Sequence, residues 1–265
     1  MSERSERAHW ESIAAEWTRA RPHQLWREYC DRINDTVLRP WLSRTTHRRL
    51  LKTDLFDEAV GRRGLVPLLT ASAPTVVGID LSAGIARAAR VRQNGAVRAT
   101  AADVRRLPFR EGSFDVVVST STLDHFPALD HIAVALAELH RVLASGGELL
   151  LTLDNGANPV VRLRGMLPID WLQRLHIVPY YVGATCGPKR LAELVADAGF
   201  RIETVGASMH GPRLPAVWLA RAIERLGSAS ARERFVNAMI GLDRLGRLPT
   251  RYLTGYFLVV RARKP

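Results

Sequence analysis

Asp80, Asp103 and the polar run KTDLFDE from Lys52 to Glu58 are the residues of this 265-residue chain whose types and spacing could do chemistry. Asp80 ends the β-branched run TVVGID at 75–80, and a carboxylate at a strand end can accept two hydrogen bonds from a ribose diol. Asp103 comes 23 residues later, in AADVRRLPF. Its carboxylate could receive an exocyclic amine of adenine, while Val104 offers a backbone N–H to a ring nitrogen. Taken singly, a strand-end aspartate also serves to cap a turn or helix. The ordered set carries more weight: one acid after an apolar run, a second acid after the next, then Leu-Pro-Phe and the run FDVVVST at 114–120.

Such acids act together only if strands deliver them to one edge of a sheet. From residue 50 the chain alternates short apolar runs with helical stretches. Strands are expected at 50–56, 75–80, 97–102, 114–120, 148–153, 200–205 and 255–262. Helices are expected at 57–69, 83–90, 129–143 and 188–198, with two more over 214–246. Asp57 and Glu58 fall in the first turn of the first helix, where acids are favourable, and Ser145-Gly146-Gly147 and Gly199 stop two others. Buried strands alternating with helices imply an α/β fold with a parallel, doubly wound sheet, which binds ligands at the carboxyl ends of its strands.

Upstream, residues 8–45 carry Trp10, Trp17, Trp26 and Trp41 with other apolar residues at intervals of three and four. That spacing fits amphipathic helices, interrupted near Pro22 and ended near Pro40. One domain is expected: an N-terminal helical lid at 1–48, a ligand-binding half at 49–155, and at 156–265 a loop-rich cap, a helical insertion before the last strand and the closing strands.

Composition narrows the partners. Thirty-eight Lys plus Arg against 26 Asp plus Glu give a net charge of +12, which favours anions. The arginines are spread along the chain without a zinc-ligand spacing, an RNA-binding signature or an aromatic-basic repeat, so nothing points to nucleic acid. Cys30 and Cys186 are too few and too far apart for a disulfide framework or a metal site. No stretch approaches the ~18 apolar residues of a membrane helix, so a cytoplasmic protein without an integral membrane segment is expected. Peripheral contact stays open through LPAVWLARAIERL (214–226), although a core-facing helix with a solvated side is the expected arrangement there.

The segments VVGIDLS, AADVRRLPF, GSFDVVVSTSTLDHF and ELHRVLASGGELLLTL, within 76–155, resemble a class I S-adenosylmethionine (SAM)-dependent methyltransferase of the small-molecule type that includes the ubiquinone and menaquinone methyltransferases. The resemblance implies a Rossmann-like seven-stranded sheet with SAM at the strand ends, leaving as S-adenosylhomocysteine. It also implies methyl transfer to oxygen, nitrogen or carbon of a small acceptor, aromatic or hydrophobic, beneath a variable cap. Carried over, Asp80 would hold the ribose hydroxyls, Leu81 would pack on the adenine, and Asp103 and Val104 would hold its edge. Ser119 and Thr120 would lie beside the methionine part.

One motif departs from the family. Its first strand ends in an acid followed by a Gly-x-Gly-x-Gly turn; here Lys52 replaces the acid, Asp54 and Phe56 replace two glycines, and Glu58 replaces the third. Glycine serves there because the backbone bends sharply and the cofactor comes close. Two outcomes are open. Either the turn is rebuilt, with Asp54 or Glu58 supplying the anion for the cofactor's ammonium, or Phe56 fills the pocket and SAM no longer binds. Retention of Asp80 and Asp103 favours the rebuilt turn. Lys52 fits neither outcome, since a cation near a sulfonium needs a neutralising acid.

In-line methyl transfer to such an acceptor needs alignment and a base for the acceptor's proton. The candidate bases are Asp124, His125, His131, His176 and the pair Tyr180-Tyr181, with His125 and Tyr180 as the catalytic candidates. The rival readings are a non-catalytic protein of this fold and an enzyme that uses bound SAM for a non-methylating reaction.

Overall fold

The computed structural model describes residues 3–20, 22–43, 47–61, 64–174, 178 and 181–265. His176 and Tyr180 lie outside the described residues. Helices α1 (Glu3–Ala20) and α2 (Gln24–Leu42) come first, followed by β1 (Arg49–Lys52), α3 (Phe56–Val60), α4 (Val66–Ser72) and β2 (Thr75–Asp80). Next are α5 (Ala83–Arg92), β3 (Arg98–Ala101), β4 (Phe114–Thr120), α6 (Leu129–Val142) and the long β5 (Leu143–Asp154). The rest supplies α7 (Pro159–Met166), α8 (Ile169–Arg174), α9 (Pro188–Asp197), β6 (Arg201–Ser208), α10 (Arg213–Leu226), α11 (Ala229–Gly241), α12 (Arg251–Thr254) and β7 (Phe257–Arg263).

The strands form one seven-stranded sheet in the order β3-β2-β1-β4-β5-β7-β6. Successive residues of the central strands enter opposite cores, as the period of a strand requires. Leu51, Val117 and Leu149 pack with Leu136 of α6 and Leu191 of α9, whereas Leu50, Val116 and Leu150 pack with Leu69 of α4 and Ile85 of α5. Burial on both faces explains why these strands read as continuous apolar runs. The order reverses between β1 and β4, where an open α/β sheet leaves a crevice at its carboxyl edge. Lys52, Asp80, Thr120 and Asp154 all end their strands at that edge.

The expected doubly wound, seven-stranded sheet is present, with one strand departing from the parallel direction. β7 runs antiparallel to both neighbours, with Phe257 opposite Asp154 of β5 and Ser208 of β6. The helical insertion leaves β6 and re-enters β7 at the same edge, so the last strand must run backwards. Two other boundaries differ. The helix expected at 57–69 is split into α3 and α4 around Gly64, whose φ of +61° no helix interior accepts. Pro40 lies inside the last turn of α2 instead of ending it, and Ser43 N–H still donates to Arg39 O at 3.0 Å.

The two N-terminal helices cover the carboxyl edge. α1 packs on α3 and α5, and α2 packs on α4, α10 and α11. Glu11 fastens α1 by accepting hydrogen bonds from Ser82 Oγ at 2.9 Å and Ala83 N–H at 2.6 Å, at the positive end of α5. α10 has the expected core-facing side, with Ala216 and Ala220 buried beside Val217 and Ile223, and a solvated side on which Trp218 is 70% exposed. Among the described residues, no helix is long and apolar enough to cross a membrane.

Candidate active site

A cleft of about 870 Å³, counted with its open mouth, lies over the ends of β1, β2 and β4. Its walls bring together Asp54, Asp80, Leu81, Asp103, Val104, Thr120 and His125, with Glu6 and Trp10 contributed by α1. Ser119 lies beneath the wall, fully buried, where its Oγ accepts from Thr53 Oγ1 at 2.9 Å.

The altered turn resolves the placement of Lys52. Its side chain is only 2% exposed, with Nζ 3.2 Å from Glu58 Oε2 and a further hydrogen bond to Asp54 O. Burial works against the lysine charge, but Glu58, Asp54 and Asp57 together outweigh it and hold the Lys52 pKa above its usual value. Glu58, expected at the cofactor's ammonium, is 0% exposed and does not line the cleft; its Oε1 accepts Leu65 N–H at 3.0 Å. The correction is physical: one helical turn beyond Asp54, Glu58 faces inward and neutralises Lys52. Of the two acids of the turn expected at the ammonium, Asp54 is the one that lines the cleft. Its Oδ1 accepts Phe56 N–H at 2.9 Å, and its Oδ2 has no partner among the described residues.

The turn needs no glycine because none of residues 53–56 has a positive φ. Asp54 closes it from within, and Asp80 Oδ2 accepts Leu55 N–H at 3.1 Å from the neighbouring strand. The close approach has moved to Gly78 of β2, where an added Cβ would lie 2.6 Å from Leu55 Cδ2. Phe56 packs against Trp17 at 5.4 Å and beneath the Arg27 guanidinium, so it forms a wall of the cleft and leaves the cleft open.

Asp80 Oδ1 accepts Ser82 N–H at 2.8 Å, and each carboxylate oxygen keeps capacity for a second hydrogen bond, as a ribose diol requires. Burial, aided by the charge of Asp54, pushes the Asp80 carboxyl up to about 8. Asp103 is differently engaged. Arg105 donates to it through its backbone N–H, Nε and Nη2, which fills the carboxylate's acceptor positions, and also contacts Glu6 at 3.0 Å and His131 Nδ1 at 2.8 Å. Asp103 therefore ties α1 to the cleft through Arg105, and an adenine amine would have to share it. The Val104 N–H has no acceptor among the described residues. An acid with spare capacity, an unfilled amide donor and an open carboxylate oxygen suit a nucleoside that carries an ammonium, so these residues fit SAM.

Asp80→Asn is expected to weaken S-adenosylhomocysteine binding about 30-fold, or ~2 kcal/mol for a hydrogen bond to a buried charge. A diol donates to the ionised carboxyl, so wild-type affinity should rise from pH 6 towards 8 with release of a proton. Calorimetry in buffers of different ionisation enthalpy reads that proton, and the asparagine variant should lack it.

Asp57, Ser121 and His125 line both this cleft and a second cavity of about 1230 Å³ over the ends of β4, β5 and β7. Trp17, Trp26, Met209, Val217 and Trp218 give that cavity an apolar lining. Ser121 turns the chain out of β4 at φ +50°, strained for a residue with a Cβ, and its N–H donates to Thr152 Oγ1 at 3.0 Å. Asp124 also lines the second cavity, is 3% exposed, and has no hydrogen-bond partner for Oδ1 among the described residues. Burial, opposed by His125 and aided by Asp154, pushes its carboxyl up to about 7. His125 Nδ1 lies 3.1 Å from Tyr181 O, and its ring meets Trp10 edge-on at 4.8 Å. His131 lines neither cavity.

A profile described as "Methyltransferase domain" matches residues 56–151, beginning within the altered motif at Phe56. Over 138 residues the chain is 32% identical to a putative methyltransferase of Encephalitozoon cuniculi, covering 49% of this chain and 63% of that protein, so it spans less than two thirds of that relative. It is 35% identical over 167 residues to the demethylmenaquinone methyltransferase of Thermus thermophilus, covering 56% of this chain and 74% of that one. A putative methyltransferase of Haloferax volcanii, solved with the Trm112 methyltransferase activator, shares the fold with a TM-score of 0.61 at 15% identity, covering 98% and 97% of the two chains. Given a relative 35% identical and matched over 74% of its length, together with a cleft whose residues fit the cofactor, the chain belongs to the class I SAM-dependent methyltransferases.

Proposed function

We propose that the protein transfers a methyl group from SAM to oxygen, nitrogen or carbon of a small organic acceptor bound in the second cavity. The shared wall carries this reading: because Asp57, Ser121 and His125 border both spaces, groups bound in the two meet there. SAM, when bound, supplies a methyl group on a cationic sulfur that is already electrophilic. Asp54 takes the ammonium, Asp80 the ribose hydroxyls, Val104 N–H and Leu81 the adenine, and Thr120 flanks the methionine part. Glu58 keeps the Lys52 charge out of the cleft. Asp124 receives the acceptor's proton, a role that suits a carboxyl titrating near neutrality. His125 shapes the common wall between Trp10 and Tyr181 O. The apolar lining encloses the acceptor's carbon skeleton and excludes water.

Incubation with methyl-labelled SAM and an extract containing small organic compounds should place label in a low-molecular-mass product. A folded protein that binds S-adenosylhomocysteine yet transfers no label would contradict methyl transfer and leave a non-methylating use of the cleft.

A further inference from the structure

The second cavity holds more cationic groups than its own carboxylates neutralise. Arg27, Arg164, Arg213 and Arg221 line it, against Asp57, Asp124 and Asp154. Arg27 is paired with Asp57, and Arg164 with Asp154 at 2.6 Å. The Arg213 guanidinium lies over the Tyr256 ring, 4.6 Å from its centroid.

Arg221 is different. Its partner among the described residues is the imidazole of His23, with Nε 3.1 Å from Nδ1 and Nη2 3.0 Å from Nε2. A neutral imidazole has a lone pair on one nitrogen only, so one of these two guanidinium donors faces an N–H. Protonating His23 would worsen the contact, and burial together with Arg221 and Arg27 pushes its pKa down to about 4. His23 itself sits in the left-handed region at φ 60°, where it precedes α2 without capping it. Strain of that kind at a residue with a Cβ persists where the surroundings over-determine it, commonly at ligand sites.

Resting on the reading of this cavity as the acceptor's, we propose that the acceptor carries an oxyanion, a carboxylate or a phosphate, which Arg221 binds beside His23. Two oxygens at the spacing of the guanidinium fork satisfy Nε and Nη2 together, and the N–H of neutral His23 can add a third donor. Trp17, Trp26, Val217 and Trp218 line the same cavity, so the anion belongs to a molecule with a hydrophobic body.

The test is a fluorescence titration of the protein saturated with S-adenosylhomocysteine, read from the tryptophans of the cavity, with octanoate, octyl phosphate and neutral 1-octanol as probes. At least one anion should bind roughly tenfold or more tightly than 1-octanol, the scale of a charge-assisted hydrogen bond, and the two anions distinguish carboxylate from phosphate. Arg221→Gln should erase the preference while leaving 1-octanol affinity unchanged, and Arg221→Lys should keep part of it. Equal affinity for all three probes in the wild type, a preference that survives Arg221→Gln, or an equal loss of 1-octanol binding would each overturn the proposal. Affinity for S-adenosylhomocysteine is measured separately in each protein: its loss counts against the proposed function, whereas a missing anion preference with that affinity intact counts against this inference alone.

Discussion

Replacing Glu58 with glutamine is expected to remove about 3–5 kcal/mol of stability, the scale for leaving a buried charge without its partner. Glutamine keeps the length of the side chain and an oxygen for Leu65 N–H, so the change acts through charge. Lys52, 2% exposed, would retain the carbonyl of Asp54 but lose the carboxylate 3.2 Å away. Urea denaturation should show a midpoint lowered by roughly 1 M or more, given slopes of about 1–3 kcal/mol per molar. The double replacement Lys52→Met with Glu58→Leu should recover most of the loss, because a buried ion pair and a well-packed apolar pair are often equivalent in stability. An unchanged midpoint in Glu58→Gln would mean that Lys52 does not depend on this carboxylate.

Asp124→Asn is expected to slow methyl transfer roughly 100-fold, at the lower end of general-base effects, without changing S-adenosylhomocysteine affinity. The separation follows from position: Asp124 lines the second cavity, proposed for the acceptor, and not the first cleft. The base acts deprotonated, and its carboxyl lies near 7, so wild-type activity should fall as pH drops below 7 and level off above it. Asparagine should remove that dependence. A residual rate with the same pH profile would shift the proton-accepting role to another group, His125 being the candidate on the shared wall.

The parts of the fold legible in the sequence are those fixed by local chemistry. β2 at 75–80 and β4 at 114–120 coincide with their expected boundaries because both are rich in β-branched residues and buried along most of their length. β1 stops at Lys52 instead of residue 56 because Asp54 bonds its own chain two residues on and starts α3 early. The direction of β7 has no local signal, since it depends on which edge the preceding helices occupy. The same division holds at the site. Asp54, Asp80, Leu81, Val104 and Thr120 follow strand ends, and strand ends at the switch point are where a cleft forms. Glu58, expected at the cleft, lies buried against Lys52, a pairing that residue spacing alone does not indicate. The engagement of Asp103 by Arg105 is local but depends on a side-chain conformation that residue types do not fix, whereas the meeting of His23 with Arg221, 198 residues apart, arises only from tertiary structure.

Binding of S-adenosylhomocysteine to the wild-type protein, followed by calorimetry, asks most directly whether a first turn without glycine still serves the cofactor. One molecule bound per chain, with affinity that increases from pH 6 towards 8 as Asp80 ionises, is the predicted result. A folded protein that takes up none would contradict it.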